Sequence, residues 1–273
     1  MAVEREQVET FKKGSRTYFN SSLFFPREVR ERVIILYAFV RTADDYVDAV
    51  PQRAEEFWEF RKSCVKSLSG TPSGNLIIDS FASLSARARF DPAWTEAFLD
   101  SMEADLTKKD YDSLEETLRY IYGSAEVIGL FMARIMELDE AASSAARMLG
   151  RSMQYINFIR DFAEDRGLGR RYLPLDGANP AVADEAYARK HPEEFAVFLR
   201  GHLSRYRVWQ QEAVAGYAYI PRRYRIPVAA AADMYWWTAG KIERNPLVVF
   251  DRQVKPSRLR VWLAVLRNAL GGC

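Results

Sequence analysis

The chain has 273 residues, 48% of them hydrophobic, with 39 basic against 37 acidic side chains and a net charge of only +2. That balance excludes a broadly basic surface for nucleic acid, and neither a zinc-finger spacing nor an RNA-binding aromatic motif occurs. The two cysteines, Cys64 and Cys273, are spaced for neither a disulfide framework nor a metal site.

From Met1 to Glu9 the sequence is charged, so no signal peptide is expected. No apolar run approaches the ~18 residues of a membrane span, and a cytoplasmic protein is the default expectation. Helical periodicity dominates, and strand-like alternation with hairpin turns is missing. The pattern predicts helices over roughly 4–18, 26–48, 52–69, 75–87, 92–106, 113–137, 140–165, 193–219, 223–242 and 257–269. Pro26, Pro92 and Pro192 mark first turns, Asp91 is a cap, and Ser113-Leu114-Glu115-Glu116 resembles a capping box. Irregular stretches fall at 70–74 and 167–183. The second, with Gly167, Gly169, Pro174, Gly177 and Pro180, is placed to act as a lid. No linker or repeat divides the chain, so a single all-α domain over 1–273 is expected, its composition sufficient for a large core with an apolar cavity.

Two acidic motifs stand out, Asp44-Asp45-Tyr46-Val47-Asp48 and Asp161-Phe162-Ala163-Glu164-Asp165. Each closes an apolar helical run, Val33 to Val40 and Met153 to Ile159. Four residues along a helix turn about 400°, so the paired aspartates lie about 40° apart on one face. With 37 acidic residues in the chain, one such pair alone would read as a solvated face. Three coincidences argue for more. Arg41 precedes Asp44 by three residues and Arg160 adjoins Asp161; Asn157, Asp161 and Asp165 form a ladder; and Arg170, Arg171 and Tyr172 follow at once. Oxygen-only ligands favour magnesium, which usually carries phosphate oxygens as well. Carboxylates with metal ions and flanking arginines bind a diphosphate that carboxylates alone would repel.

In the stretches Leu36 to Asp48, Tyr120 to Gly129 and Gln154 to Asp165 with Gly169 to Pro174, the chain resembles the squalene and phytoene synthase family, the head-to-head prenyltransferases. The resemblance implies a helical bundle of the isoprenoid synthase type around a central apolar cavity. It implies that Asp44, Asp48, Asp161 and Asp165, with Asn157 beside them, hold magnesium ions (or manganese in their place) that bridge to substrate diphosphates. Arg41, Arg160 and Arg171 match positions that contact diphosphate or neighbouring carboxylates. Tyr172 matches a tyrosine near the reacting centre, Ser15, Arg16 and Thr17 a diphosphate-binding segment, and Tyr37 and Tyr120 pocket aromatics. Tyr235 and Arg252 match a later tyrosine and arginine. Gly14 stands where the family often has histidine, and Ser124 and Glu126 where valine and glycine are usual. Glu126 is either a neighbour of the ligands or an exposed helix-face residue, the second being favoured by its charge.

The implied reaction joins two prenyl diphosphates through a cyclopropyl diphosphate. Geranylgeranyl diphosphate would give phytoene without a reductant. Farnesyl diphosphate would give squalene, dehydrosqualene or presqualene diphosphate, with NADPH needed only by a reductive squalene synthase. A non-catalytic helical isoprenoid-binding or scaffold protein is the reading from another class. Expected partners are prenyl diphosphates and no nucleic acid, and the oligomeric state is open. His191 and His202 lack the spacing of a di-iron bundle, and His191 flanks a helix. Tyr235, within Met234-Tyr235-Trp236-Trp237, is a core residue on composition alone, and Arg222-Arg223-Tyr224-Arg225 reads as a solvated turn. The helix from Arg258 to Arg267 is apolar with basic punctuation. It either packs on the domain, the favoured reading, or makes peripheral contact with a membrane, as would suit an oily product.

Overall fold

The computed structural model describes residues 3–14, 19 and 22–270. Ser15, Arg16 and Thr17 lie outside the described residues. The helices are α1 (Arg5–Gly14), α2 (Arg27–Asp48), α3 (Ala54–Leu68), α4 (Leu76–Ala88), α5 (Pro92–Thr107), α6 (Leu114–Ile121), α7 (Val127–Ile135), α8 (Ser143–Arg160) and α9 (Phe162–Gly167). They continue with α10 (Glu185–Lys190), α11 (Pro192–Ala215), α12 (Arg222–Arg244), α13 (Val248–Asp251) and α14 (Arg258–Leu270). Among the described residues there is no strand, only an isolated bridge between Asp110 and Arg171. No described helix is long and apolar enough to cross a membrane.

The helix starts are chemically explicit. Asp91 accepts the Ala93 N–H at 2.9 Å ahead of α5, with Pro92 in the first turn. Ser113 accepts the Glu116 N–H at 3.2 Å, and the Glu116 carboxylate reaches back to the Asp112 N–H at 3.1 Å, one residue earlier than in a standard capping box. His191 flanks α11 without a side-chain cap. Arg222 to Arg225 is the first turn of α12 rather than a free turn, because Tyr224 is buried against the core.

Two long helices expected from periodicity are interrupted. The run over 113–137 contains a π turn, Tyr122–Glu126, between α6 and α7. The run over 140–165 breaks at Asp161, whose φ of −96° and ψ of 13° separate α8 from α9. The break keeps the four-residue step. Asp161 N–H bonds the Asn157 carbonyl, and Asp165 N–H the Asp161 carbonyl, each at 2.8 Å.

Two apolar clusters carry the core. In one, Phe39 stacks on Phe81 with centroids 3.8 Å apart and meets Phe60 and Phe98. In the other, Phe158 and Tyr172 pack with Tyr111 and Tyr120. Between elements, α8 packs most extensively on α11, and also on α7 and the π turn. Glu126 lies in that packing and is fully buried, which corrects the expectation of an exposed position. Because the π turn faces α8, its carboxylate meets two α8 guanidiniums, Arg147 at 2.9 Å and Arg151 at 2.6 Å.

The same contact needs glycine. A Cβ on Gly129 would stand 2.1 Å from the Ala146 carbonyl oxygen, and one on Gly150 would stand 2.2 Å from that of Ala125. Both are backbone atoms, so a side chain forces the helices apart. Gly129→Ala is therefore expected to cost about 1–3 kcal/mol and to lower Tm by several degrees in calorimetry. An unchanged Tm would show that the crossing has room to spare.

Candidate active site

A cavity of about 1210 Å³ is lined from both clusters. Asp44 and Asp48 from α2, and Asn157, Asp161 and Asp165 from α8 and α9, stand on its wall, as do Arg41, Arg160 and Arg170. Residues over a hundred positions apart in sequence thus share one enclosure.

Arginines hold the carboxylates. Arg41 forks between Asp44 and Asp45, each at 2.6 Å. Arg160 Nε donates to Asp161 at 2.8 Å. Arg170 makes the link across the site. Its backbone N–H bonds the Asp165 carbonyl at 2.8 Å, while its guanidinium donates to Asp48 Oδ1 at 2.7 Å and to the Val47 carbonyl at 2.6 Å. The segment after the second acidic motif therefore clasps the end of the first. Arg170 and Tyr172 are buried on the cavity wall, with Gly167 and Leu168 also lining it, so the start of 167–183 is part of the wall itself.

Behind Asp48 lies Asp105, a buried α5 residue. It accepts the Tyr120 hydroxyl on one oxygen and the Tyr172 hydroxyl on the other, both at 2.6 Å. Burial pushes Asp105 up to about 6, against the pull of the two phenols. Burial and Asp105 together hold the Tyr120 and Tyr172 phenols firmly protonated. The Tyr172 ring stacks on Phe158 at 4.3 Å, with an interplanar angle of 6°.

The remaining expected residues divide. Tyr37 lines the cavity, stacked on Phe11 at 4.0 Å, and Tyr120 and Tyr235 line it too. Arg171 does not. Its guanidinium turns away to Asp110 at 3.1 Å, Asp112 at 2.7 Å and the carbonyls of Tyr111 and Leu173. Arg252 is exposed and also off the wall, although its neighbour Gln253 is on it. Asp105 and Arg170 are the residues that sequence reasoning underrated.

The donor set fits divalent cations. Burial and Asp48 push the Asp44 carboxyl well above its ordinary range. Burial, Asp161 and Asp48 do the same to Asp165. These groups would ionise readily only with added positive charge. Asn157 Oδ1 is buried with no hydrogen-bond partner, an acceptor suited to a metal ion. Among the described residues no three acidic, His or Cys side chains converge on one point. A magnesium ion is commonly bound through one or two carboxylates, with phosphate oxygens and water completing its shell.

The Squalene/phytoene synthase family model matches residues 11–260, and the chain belongs to that family. Among relatives, it is 28% identical over 264 residues to a 15-cis-phytoene synthase of a Paracoccus strain, covering 92% of this chain and 86% of that one. It is 27% identical over 280 residues to a 15-cis-phytoene synthase of Pantoea ananas, covering 96% and 91%. A solved dehydrosqualene synthase superposes with a TM-score of 0.84 at 20% identity, covering 96% of this chain and 93% of that chain. The squalene synthase HpnC from Alicyclobacillus acidocaldarius gives 0.77 at 19%, covering 87% and 92%. These two establish the isoprenoid synthase fold.

The Asp105 shift has a measurable sign. Its folded value, about 6, is above the ordinary aspartate value of 3.8, so the folded state binds the proton more tightly. The stabilisation is complete below about 4 and is lost as pH rises through about 6. Stability of the wild type relative to Asp105→Asn should therefore fall across that window, measured by urea titration in chelator. A difference constant with pH would contradict the assignment.

Proposed function

We propose that this chain condenses two molecules of geranylgeranyl diphosphate head to head, through a cyclopropyl diphosphate, to give phytoene. Membership of the family makes it a prenyltransferase. The observation that carries the reading is the Arg170 clasp, which joins two acidic motifs at the wall of one large, mainly apolar cavity. Its volume of about 1210 Å³ exceeds the ~300–1,000 Å³ usual for small-molecule sites. That room suits two long isoprenoid chains, and the phytoene synthase relatives point the same way.

Asp44, Asp48, Asn157, Asp161 and Asp165 would hold magnesium, with manganese as a substitute. The ions supply charge that stabilises a departing diphosphate. The protein does the rest. Arg41 and Arg160, on the same wall, add guanidinium charge where the diphosphates lie. Arg170 fixes the aim of Asp48. Phe158, Tyr120 and Tyr172 keep water from the allylic cation and present π-faces to it. Asp105 holds both phenols, so their rings are fixed before substrate arrives. Two diphosphates and two protons leave per phytoene formed, one of each in making the cyclopropyl diphosphate and one of each in its rearrangement. The reaction needs no reductant, so NADPH has no role.

The test is incubation with geranylgeranyl and farnesyl diphosphates separately, with magnesium, with and without NADPH, followed by product identification. Phytoene from the C20 substrate, indifferent to NADPH, is expected. Squalene-type products from the C15 substrate alone would reassign the chain length, and no pyrophosphate from either would leave a non-catalytic binding protein. Arg170→Gln should lower kcat by about 10–100-fold, as expected for a group that orients a metal ligand. Arg171→Gln should instead lower Tm with kcat nearly kept. Equal kinetic losses in both would contradict the division drawn between them.

A further inference from the structure

The helix α14 is apolar on two opposite faces. Val261, Ala264 and Val265 are each 6% exposed and pack on Ala230 and Met234 of α12. At about 100° per residue, Leu259, Trp262, Leu263, Leu266 and Leu270 fall on the other side, within an arc of about 100°. These five are 55% to 78% exposed. A helix that only covered a core would be polar there. Phe24 meets Trp262 edge-on at 5.2 Å, and the adjacent Leu23, 46% exposed, widens the patch.

We infer that this stripe is a docking surface for an anionic lipid membrane, with α14 lying in the interface plane. Its charge is complementary to such a surface. The helix contains no acidic residue. Arg260, over the Trp237 ring at 4.8 Å, and Arg267, whose guanidinium is paired with Asp233 of α12, sit together at one edge of the stripe, where long basic side chains reach headgroups while the leucines enter the acyl boundary. The exposed Arg222 adds a third cation, donating to the Ala269 carbonyl at 2.9 Å. A second copy of the chain is a poorer occupant. A two-fold interface would set this arginine-edged helix against itself, and the acid beside it, Asp233, is already engaged by Arg267 and Asn268 of the same chain.

The location supplies the reason for such a surface, and this step rests on the proposed function. Met234 packs under α14, and it lines the cavity together with Val228 and Ala231 of α12. One helix thus separates the stripe from the cavity. An amphiphilic substrate and a hydrocarbon product both partition into lipid, so a protein seated here exchanges them without passage through water.

Vesicle flotation without substrate tests the inference independently of catalysis. The wild type is expected to float with phosphatidylcholine vesicles containing phosphatidylglycerol, and more weakly with phosphatidylcholine alone. Leu259→Glu/Leu263→Glu should cut partitioning at least about tenfold, with Tm and pyrophosphate release in detergent unchanged. Arg260→Gln/Arg267→Gln should weaken binding to the anionic vesicles by about fivefold per charge removed. A wild type that stays unbound overturns the inference. So does a leucine variant that floats equally well, or one that dissociates a dimer in sedimentation while vesicle binding persists. Loss of pyrophosphate release with intact flotation would instead strike the proposed function.

Discussion

A carboxylate set into an apolar wall is costly unless a positive group stands against it. Here the acidic residues of two distant helices face one cavity, and arginine meets them: Arg41 on Asp44, Arg160 on Asp161, Arg170 on Asp48. Arg170 matters most because it acts through both backbone and side chain, tying the turn after α9 to the end of α2. It determines that the two motifs belong to one site. The remaining excess of negative charge, visible in the raised carboxyls of Asp44 and Asp165, leaves the site disposed towards added cations.

Rigidity around that cluster comes from close helix contact and buried hydrogen bonds. Gly129 and Gly150 let α7, the π turn and α8 approach until backbone meets backbone, and the Glu126 ion pairs lock the crossing. On the other flank, the Tyr120–Asp105–Tyr172 bridge joins three segments of chain beneath the carboxylates. The helix that carries Asn157, and that leads to Asp161 and Asp165, is thus held from both sides, and the aromatic wall keeps its shape.

Much of this was legible in the sequence, because the relevant signals are periodic. The apolar runs before each acidic motif gave α2 and α8, and the four-residue spacing put the aspartates on a common face even though the helix breaks at Asp161. Asp105 could have been found. Phe98, Met102 and Asp105 follow one another at helical spacing, so the carboxylate falls on the core side of α5. Arg170 and Arg171 could not be separated by sequence. They are neighbours in an extended segment, where successive side chains point opposite ways, and only the tertiary pairing of Arg171 with Asp110, through backbone bonds to Lys109 and Tyr111, fixes which one faces the cavity. The π turn was equally hidden, since one extra residue in a helix leaves the hydrophobic pattern almost intact, and it is this turn that carries Glu126 inward.

The central claim is that the two acidic motifs grip ions over a single cavity. Anomalous diffraction from crystals grown with manganese and a non-reacting prenyl thiodiphosphate tests it most directly. The account predicts ion peaks between the Asp44/Asp48 and Asp161/Asp165 pairs, bridged by diphosphate oxygens whose prenyl chain enters the cavity. Ions confined to one motif, or bound at separate outer surfaces with the cavity empty of substrate, would contradict it.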